Sequence, residues 1–207
     1  MEPQPLIFPP SIRFAAPDEL PGTLAEREES LALLANAAVS TGFVTRTGGD
    51  RHAAIFAEAN VHGPDVWPAF SALVTALLPE RAAVIVGAID EEPHLGHYTE
   101  RDSLLAALSE FAEPLAADCF VEFGAMWQTP DRTEEVFVRA AKYIQIWTND
   151  PESLRATMLR LGVPEVERLS FIDEFPRTTN TTQHPGIGDF AALVERVVAR
   201  CAELAAV

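Results

Sequence analysis

The sequence predicts an α+β fold, with a mixed or mostly antiparallel sheet covered by helices. Helical and strand periodicities alternate along the chain, but strands follow one another directly at two places, which favours hairpins over parallel crossovers. The run Ala-Ala-Val-Ile-Val-Gly-Ala-Ile at 82–89 is short, apolar throughout and rich in β-branched residues, as expected of a strand covered on both faces. From 84 to 175 the order reads β-α-β-β-α-β, a ferredoxin-like succession. The chain has 207 residues, 48% hydrophobic and 22% charged, so it can bury a sizeable core. We expect one domain at 23–207, preceded by a proline-rich arm at 1–22.

Six prolines between Pro3 and Pro21 make the arm extended or irregular, while Leu6, Ile7, Phe8, Ile12 and Phe14 give it apolar residues to dock on the body. Residues 24–40 read as a helix capped by Thr23, with Leu24, Leu31, Leu34 and Ala38 near one face. Residues 43–47 and 52–58 read as a hairpin turned by Gly48, Gly49 and Asp50. A second helix, 66–78, is expected to start at a capping Asp65 and stop at Pro79. After the central strand comes a loop at 90–98, then a third helix from Glu100 to about Phe111 with Thr99 as its cap. Residues 119–128 and 135–148 alternate like two paired strands turned at 129–133. Asn149-Asp150-Pro151-Glu152 is a helix start, and Gly162 followed by Pro164 is its stop. A strand at 168–175, a polar loop at 178–188 and an amphipathic helix from Asp189 to about Ala205 complete the chain.

Thirty-one acidic residues against 15 Lys and Arg give a formal net charge of −16. A field of that sign repels phosphate backbones and anionic lipid heads and draws in basic proteins. The expected partner is therefore a basic protein, with no nucleic acid and no membrane. The first residues lack a basic segment followed by an apolar core, so no secretory signal is legible and a cytoplasmic location is expected. Cys119 and Cys201 lie in apolar stretches and are expected as buried free thiols.

Catalytic patterns are missing or misplaced. No serine sits in a Gly-x-Ser-x-Gly elbow, and there is no Gly-x-x-x-x-Gly-Lys loop. Gly186-Ile-Gly-Asp-Phe-Ala191 matches a dinucleotide fingerprint on paper, but a polar loop precedes it where a strand should, so no cofactor is expected. His94 and His97, with acids on either side, are metal-ligand types. Their spacing departs from the four-residue helical pattern of zinc peptidases, and Gly96 lies between them, so an exposed polar loop is the plainer reading. A metal-assisted enzyme centred on these histidines is the alternative to a binding protein, and a homo-oligomeric structural subunit is another.

Two patterns suit partner binding. Asp90, Glu91 and Glu92 are adjacent carboxylates able to accept charge-assisted hydrogen bonds from basic side chains. By period two, Phe137, Tyr143 and Trp147 share a strand face with Arg139 and Gln145, opposite the apolar face of Val136, Val138, Ala140, Ile144 and Ile146. A face bearing aromatic residues, Arg and Gln has the composition of an interface centre, or of a second core layer beneath a helix. Arg139, Tyr143 and Trp147, together with Asp90, Glu91 and Glu92, are the candidate partner-binding residues.

Tyr143-Ile-Gln-Ile-Trp147, followed by Asn149-Asp-Pro151 and by Phe171-Ile-Asp-Glu-Phe-Pro176, resembles immunity-type proteins of bacterial toxin–immunity systems. The resemblance covers under a third of the chain and carries over no residue roles. It implies a small acidic cytosolic protein that inhibits one toxin by binding it. The function expected is thus a non-catalytic protein that neutralises or sequesters a basic partner.

Overall fold

The computed structural model describes residues 2–48 and 51–204. The fold is α+β, with an eight-stranded sheet packed against helices. Its elements in chain order are β1 (Ile12–Phe14), α1 (Leu24–Ala35), β2 (Gly42–Thr47), β3 (Ile55–Asn60), α2 (Val66–Leu77) and β4 (Arg81–Ala88). Then come β5 (His94–Leu95), β6 (Thr99–Glu100), α3 (Arg101–Ser109), α4 (Ala112–Ala117), β7 (Val121–Thr129), β8 (Arg132–Val138) and β9 (Ile144–Thr148). The last are α5 (Pro151–Arg160), β10 (Arg177–Thr179) and α6 (Phe190–Leu204). Of the turn expected at 48–50, Gly49 and Asp50 lie outside the described residues. No helix among the described residues is long and apolar enough to cross a membrane.

The sheet runs β2-β3-β9-β8-β7-β4-β5, with β6 also on β4, and every pairing is antiparallel. One face is continuously apolar. Phe43, Ala57, Ala59, Ile144, Ile146, Val136, Val138, Phe123, Ala125, Val84 and Val86 are buried there, as period-two alternation requires. The same core takes in Phe70 and Leu73 of α2, Leu104 of α3, Leu115 of α4, Leu154 and Met158 of α5, and Leu193 and Val197 of α6. The 82–89 run is indeed the buried inner strand β4.

Several elements differ from expectation. The stretch 135–148 is not one strand but two, β8 and β9, joined by a tight turn in which Lys142 takes φ 62°. Between α4 and α5 the chain therefore makes a three-stranded meander, one strand more than the β-α-β-β-α-β reading. No strand forms at 168–175. That stretch holds a 3-10 turn, Ile172–Glu174, closed by the Glu174 carboxylate accepting from the Phe171 N–H, and Phe171 and Ile172 are buried from it. The first helix stops at Ala35, five residues early, and none of its residues is buried; Leu24 is 81% exposed. Its apolar spacing is helical, but no core lies beneath it. Asp65 does not cap α2 with its side chain, because a 3-10 turn at Gly63–Asp65 precedes the helix. Thr99 belongs to β6 and Glu100 takes the cap position of α3, which ends at Ser109 before a separate short α4. Asp150 does cap α5, accepting from the Ser153 N–H at 2.9 Å.

The arm is threaded across the body. Thr41 donates to Gln4, Leu6 to Val39 and Gly63 to Ile7 through backbone bonds, and β1 pairs with β10. A side chain at Gly63 would lie 2.8 Å from the Pro9 nitrogen, so only glycine admits the arm this closely. Ile12 then packs with Cys119 and Ile172 in a small second core.

Candidate partner-binding surface

The second face of the sheet positions the candidate residues. Cross-strand register sets one row across it, Arg46–Phe56–Trp147–Glu135–Met126, on β2, β3, β9, β8 and β7. The adjacent row is Val44–Glu58–Gln145–Phe137–Gly124. Helices α2 to α6 contribute to the core on the opposite face. At one end the 171–176 segment reaches this second face, where Phe171 lies 4.5 Å from the Tyr143 ring, and the arm packs against that segment, Phe8 on Phe14 and Phe14 on Phe175 edge-on. At the other end Phe56 and Trp147 are half-buried, with ring centroids 4.7 Å apart.

Charged side chains frame the aromatics in pairs. Arg46 meets Glu58 at 3.4 Å, Arg51 meets Glu135 at 3.1 Å and Arg139 meets Glu122 at 3.1 Å. The Arg51 guanidinium also lies 4.1 Å above the Trp147 ring, and that of Arg139 lies 5.7 Å from the Phe137 ring. These are cation–π distances. Burial pushes the Glu135 carboxyl above the usual carboxylate range, while Arg51 pulls it back down. The surface is thus locally close to neutral, and the surplus negative charge lies elsewhere on the molecule.

The six sequence candidates do not form one cluster. Trp147 stands in the open aromatic row. Arg139 and Tyr143 lie at the opposite end of the same face, with Tyr143 half-covered by Phe171. Burial, with Asp173 adding to it, pushes the Tyr143 phenol up to about 12. Asp90, Glu91 and Glu92 are exposed on the loop after β4, three strands from β9, which at ~4.8 Å per strand is about 14 Å across the sheet. Asp90 takes φ 64° to start that loop, and Pro93 returns against Gly87 of β4. His94 sits in β5 opposite Val86, His97 follows two residues after the strand, and both are exposed. Among the described residues no group of three or more His, Cys, Asp or Glu side chains is arranged to hold a metal ion.

Sequence reasoning missed Phe56, Arg51, Glu58 and Glu135. The alternation Ile55-Phe56-Ala57-Glu58-Ala59 already put Phe56 and Glu58 on the face opposite the core alanines. Arg51 gives no such signal, since its partners lie on β8 and β9. The segment that carries it is held by Asn149, whose amide donates to the His52 carbonyl and accepts from the Ala54 N–H. The Asn149 amide also donates to the Thr133 carbonyl and to the buried Glu134 carboxylate.

The chain matches no family model, no curated protein and no solved structure.

Proposed function

We propose that this protein is a stoichiometric, non-catalytic binder that neutralises or sequesters a basic protein, in the manner of the bacterial immunity-type proteins it resembles. The observation that carries the reading is the half-buried aromatic row Arg46–Phe56–Trp147–Glu135. Interface centres favour aromatic anchors and Arg in partly desolvated settings, and Trp is prominent among residues whose loss costs most. The −16 charge supplies long-range attraction, and the Asp90–Glu91–Glu92 loop supplies carboxylates at the rim. The two act at different ranges. The field speeds encounter, while the near-neutral aromatic face governs how long the complex lasts.

The test is co-purification from the native cell at low salt, with mass spectrometry of what accompanies the chain. One basic protein released as salt rises is the expected result. With that protein in hand, Trp147→Ala is expected to weaken binding by at least about thirtyfold, chiefly through faster dissociation. A chain that purifies alone, or a Trp147→Ala variant that binds as tightly as the parent, rejects the reading.

A homo-oligomeric subunit is the second reading, favoured by α1. Leu24, Leu31 and Leu33 of this helix are 81%, 39% and 46% exposed. A second copy would cover them. Light scattering at high concentration is expected to show a dimer under this reading, lost in Leu24→Glu/Leu31→Glu, and a monomer removes it.

A further inference from the structure

We propose that Trp147 and Glu135 form a recognition site for an arginine side chain of the partner, and that Arg51 occupies it in the free protein as an internal stand-in. The inference rests on the open face being the docking surface and specifies what that face reads.

The geometry is that of a guanidinium site. Nη1 of Arg51 lies 3.2 and 3.1 Å from the two Glu135 oxygens, while its guanidinium carbon lies 4.1 Å above the indole of Trp147. Phe56, tilted against the indole with ring centroids 4.7 Å apart, helps hold it in place. A planar cation satisfies both demands at once, stacking on the ring and donating to the carboxylate, whereas an ammonium can donate but has no plane to stack.

The two members of the ion pair are unequally placed. The Glu135 side chain is 10% exposed and belongs to the sheet; that of Arg51 is 54% exposed and reaches in from the hairpin. With Arg51 in place the carboxylate is largely enclosed, and the guanidinium is the more accessible member of the pair. Among the described residues its hydrogen-bond partner is Arg51. Losing that cation leaves the carboxylate without its hydrogen-bond partner, which favours a replacement of the same kind.

Exchange also requires little else to move. The backbone beside Arg51 is pinned, because His52 O accepts from the Thr133 N–H and the Asn149 amide, and Ala54 N–H donates to Asn149. Only the Arg51 side chain has to swing out. The net negative field of the molecule favours an incoming basic surface as it does so.

The probe is an acetyl-Gly-Arg-Gly-amide peptide with its lysine counterpart, titrated while the indole N–H resonance of Trp147 is followed. Removing the stand-in is expected to increase affinity: Arg51→Ala binds the arginine peptide at least about tenfold more tightly than the parent, and the Trp147 resonance shifts. In the same variant the lysine peptide binds about tenfold more weakly than the arginine peptide. Adding Glu135→Gln abolishes the gain. Arg51→Gln serves in place of the alanine variant if that chain does not fold. An ion pair that serves only to neutralise Glu135 gives no gain in Arg51→Ala, and that result overturns the proposal, as does equal binding of the two peptides. Arginine binding by Arg51→Ala in a chain that captures no protein would leave the site standing and reject the partner-binding function. The reverse pattern, a captured partner with no arginine gain, rejects the site alone.

Discussion

Between pH 7 and pH 10 the native chain is expected to gain about 2–3 kcal/mol of stability relative to a Lys142→Met variant. Lys142 is the sole lysine, and its side chain points into the core end from the β8–β9 turn. Its ammonium donates to the Val121 carbonyl at 2.6 Å and lies 5.5 Å from the Phe123 ring. Burial pulls its pKa down to about 8, with Cys119, Asp118 and Glu122 opposing the shift. Below pH 8 both folded and unfolded chains hold the proton, and the cost of burying the cation is present in full. Between pH 8 and 10.5 the unfolded chain holds more protons than the folded one, so stability climbs with pH. The methionine variant has no such group. Burial pushes the Cys119 and Cys201 thiols above their ordinary value; the Cys201 contribution is common to both proteins, whereas Lys142 opposes the shift at Cys119 and its loss adds to the difference at high pH. Denaturant unfolding of the pair at several pH values checks the prediction. A difference that stays constant across the range would mean that the ammonium is solvated.

Phe123→Ala is expected to cost about 3–5 kcal/mol, the range for deleting a fully buried ring. Phe123 has no exposed surface and is the point where sheet and helices meet. Phe70 of α2 packs edge-on at 4.9 Å, and Trp67 stacks more distantly at 6.5 Å. Neither side chain can follow the retreating surface without leaving its own contacts, so most of the space stays as a cavity. In a chain of this length the loss lowers the melting temperature by roughly 10 °C or more. The denaturant midpoint should fall with an unchanged slope. A loss below about 1 kcal/mol would show that Phe70 and Trp67 close the gap. Because Lys142 lies over the same ring, the two substitutions are expected to be non-additive when combined.

What the sequence disclosed followed periodicity and caps. β4 was legible because eight residues run without a charge after Arg81, and α5 because Asp150 and Pro151 carry a cap and a fixed φ. The division of 135–148 was hidden by its turn. Arg139-Ala-Ala-Lys142 contains no Gly, Pro or Asn, and the left-handed residue is a lysine whose side chain bonds into the core instead. In α1 the spacing of leucines was right but their burial was not, since periodicity tells which residues share a face and not whether anything covers it. At 168–175 the apolar residues Leu169, Phe171 and Phe175 suggested a strand, yet Glu174 closes a turn on Phe171. The aromatic face was half legible. Its parity on β8 and β9 could be read from alternation, but the meeting of Arg51 with Glu135 and Trp147 depends on β3 lying beside β9, which no local pattern encodes.

That adjacency also fixes an order of events during synthesis. The β2–β3 hairpin joins the sheet only through β9, so it emerges from the ribosome with Ala57, Ala59 and Phe43 bare and no strand to pair with. At ~5–20 residues per second, several seconds pass before Ile144–Thr148 follows it out. Strand β1 waits longer still, because it has no partner until β10 exists, although the arm before it can already pair with residues 39–41 and 63. The hairpin can close on itself early, but it joins the sheet only once β9 of the β7–β8–β9 meander is available at the edge it binds. Nascent chains stalled before Ile144 are expected to be protease-sensitive across 42–60, and those released after it protected.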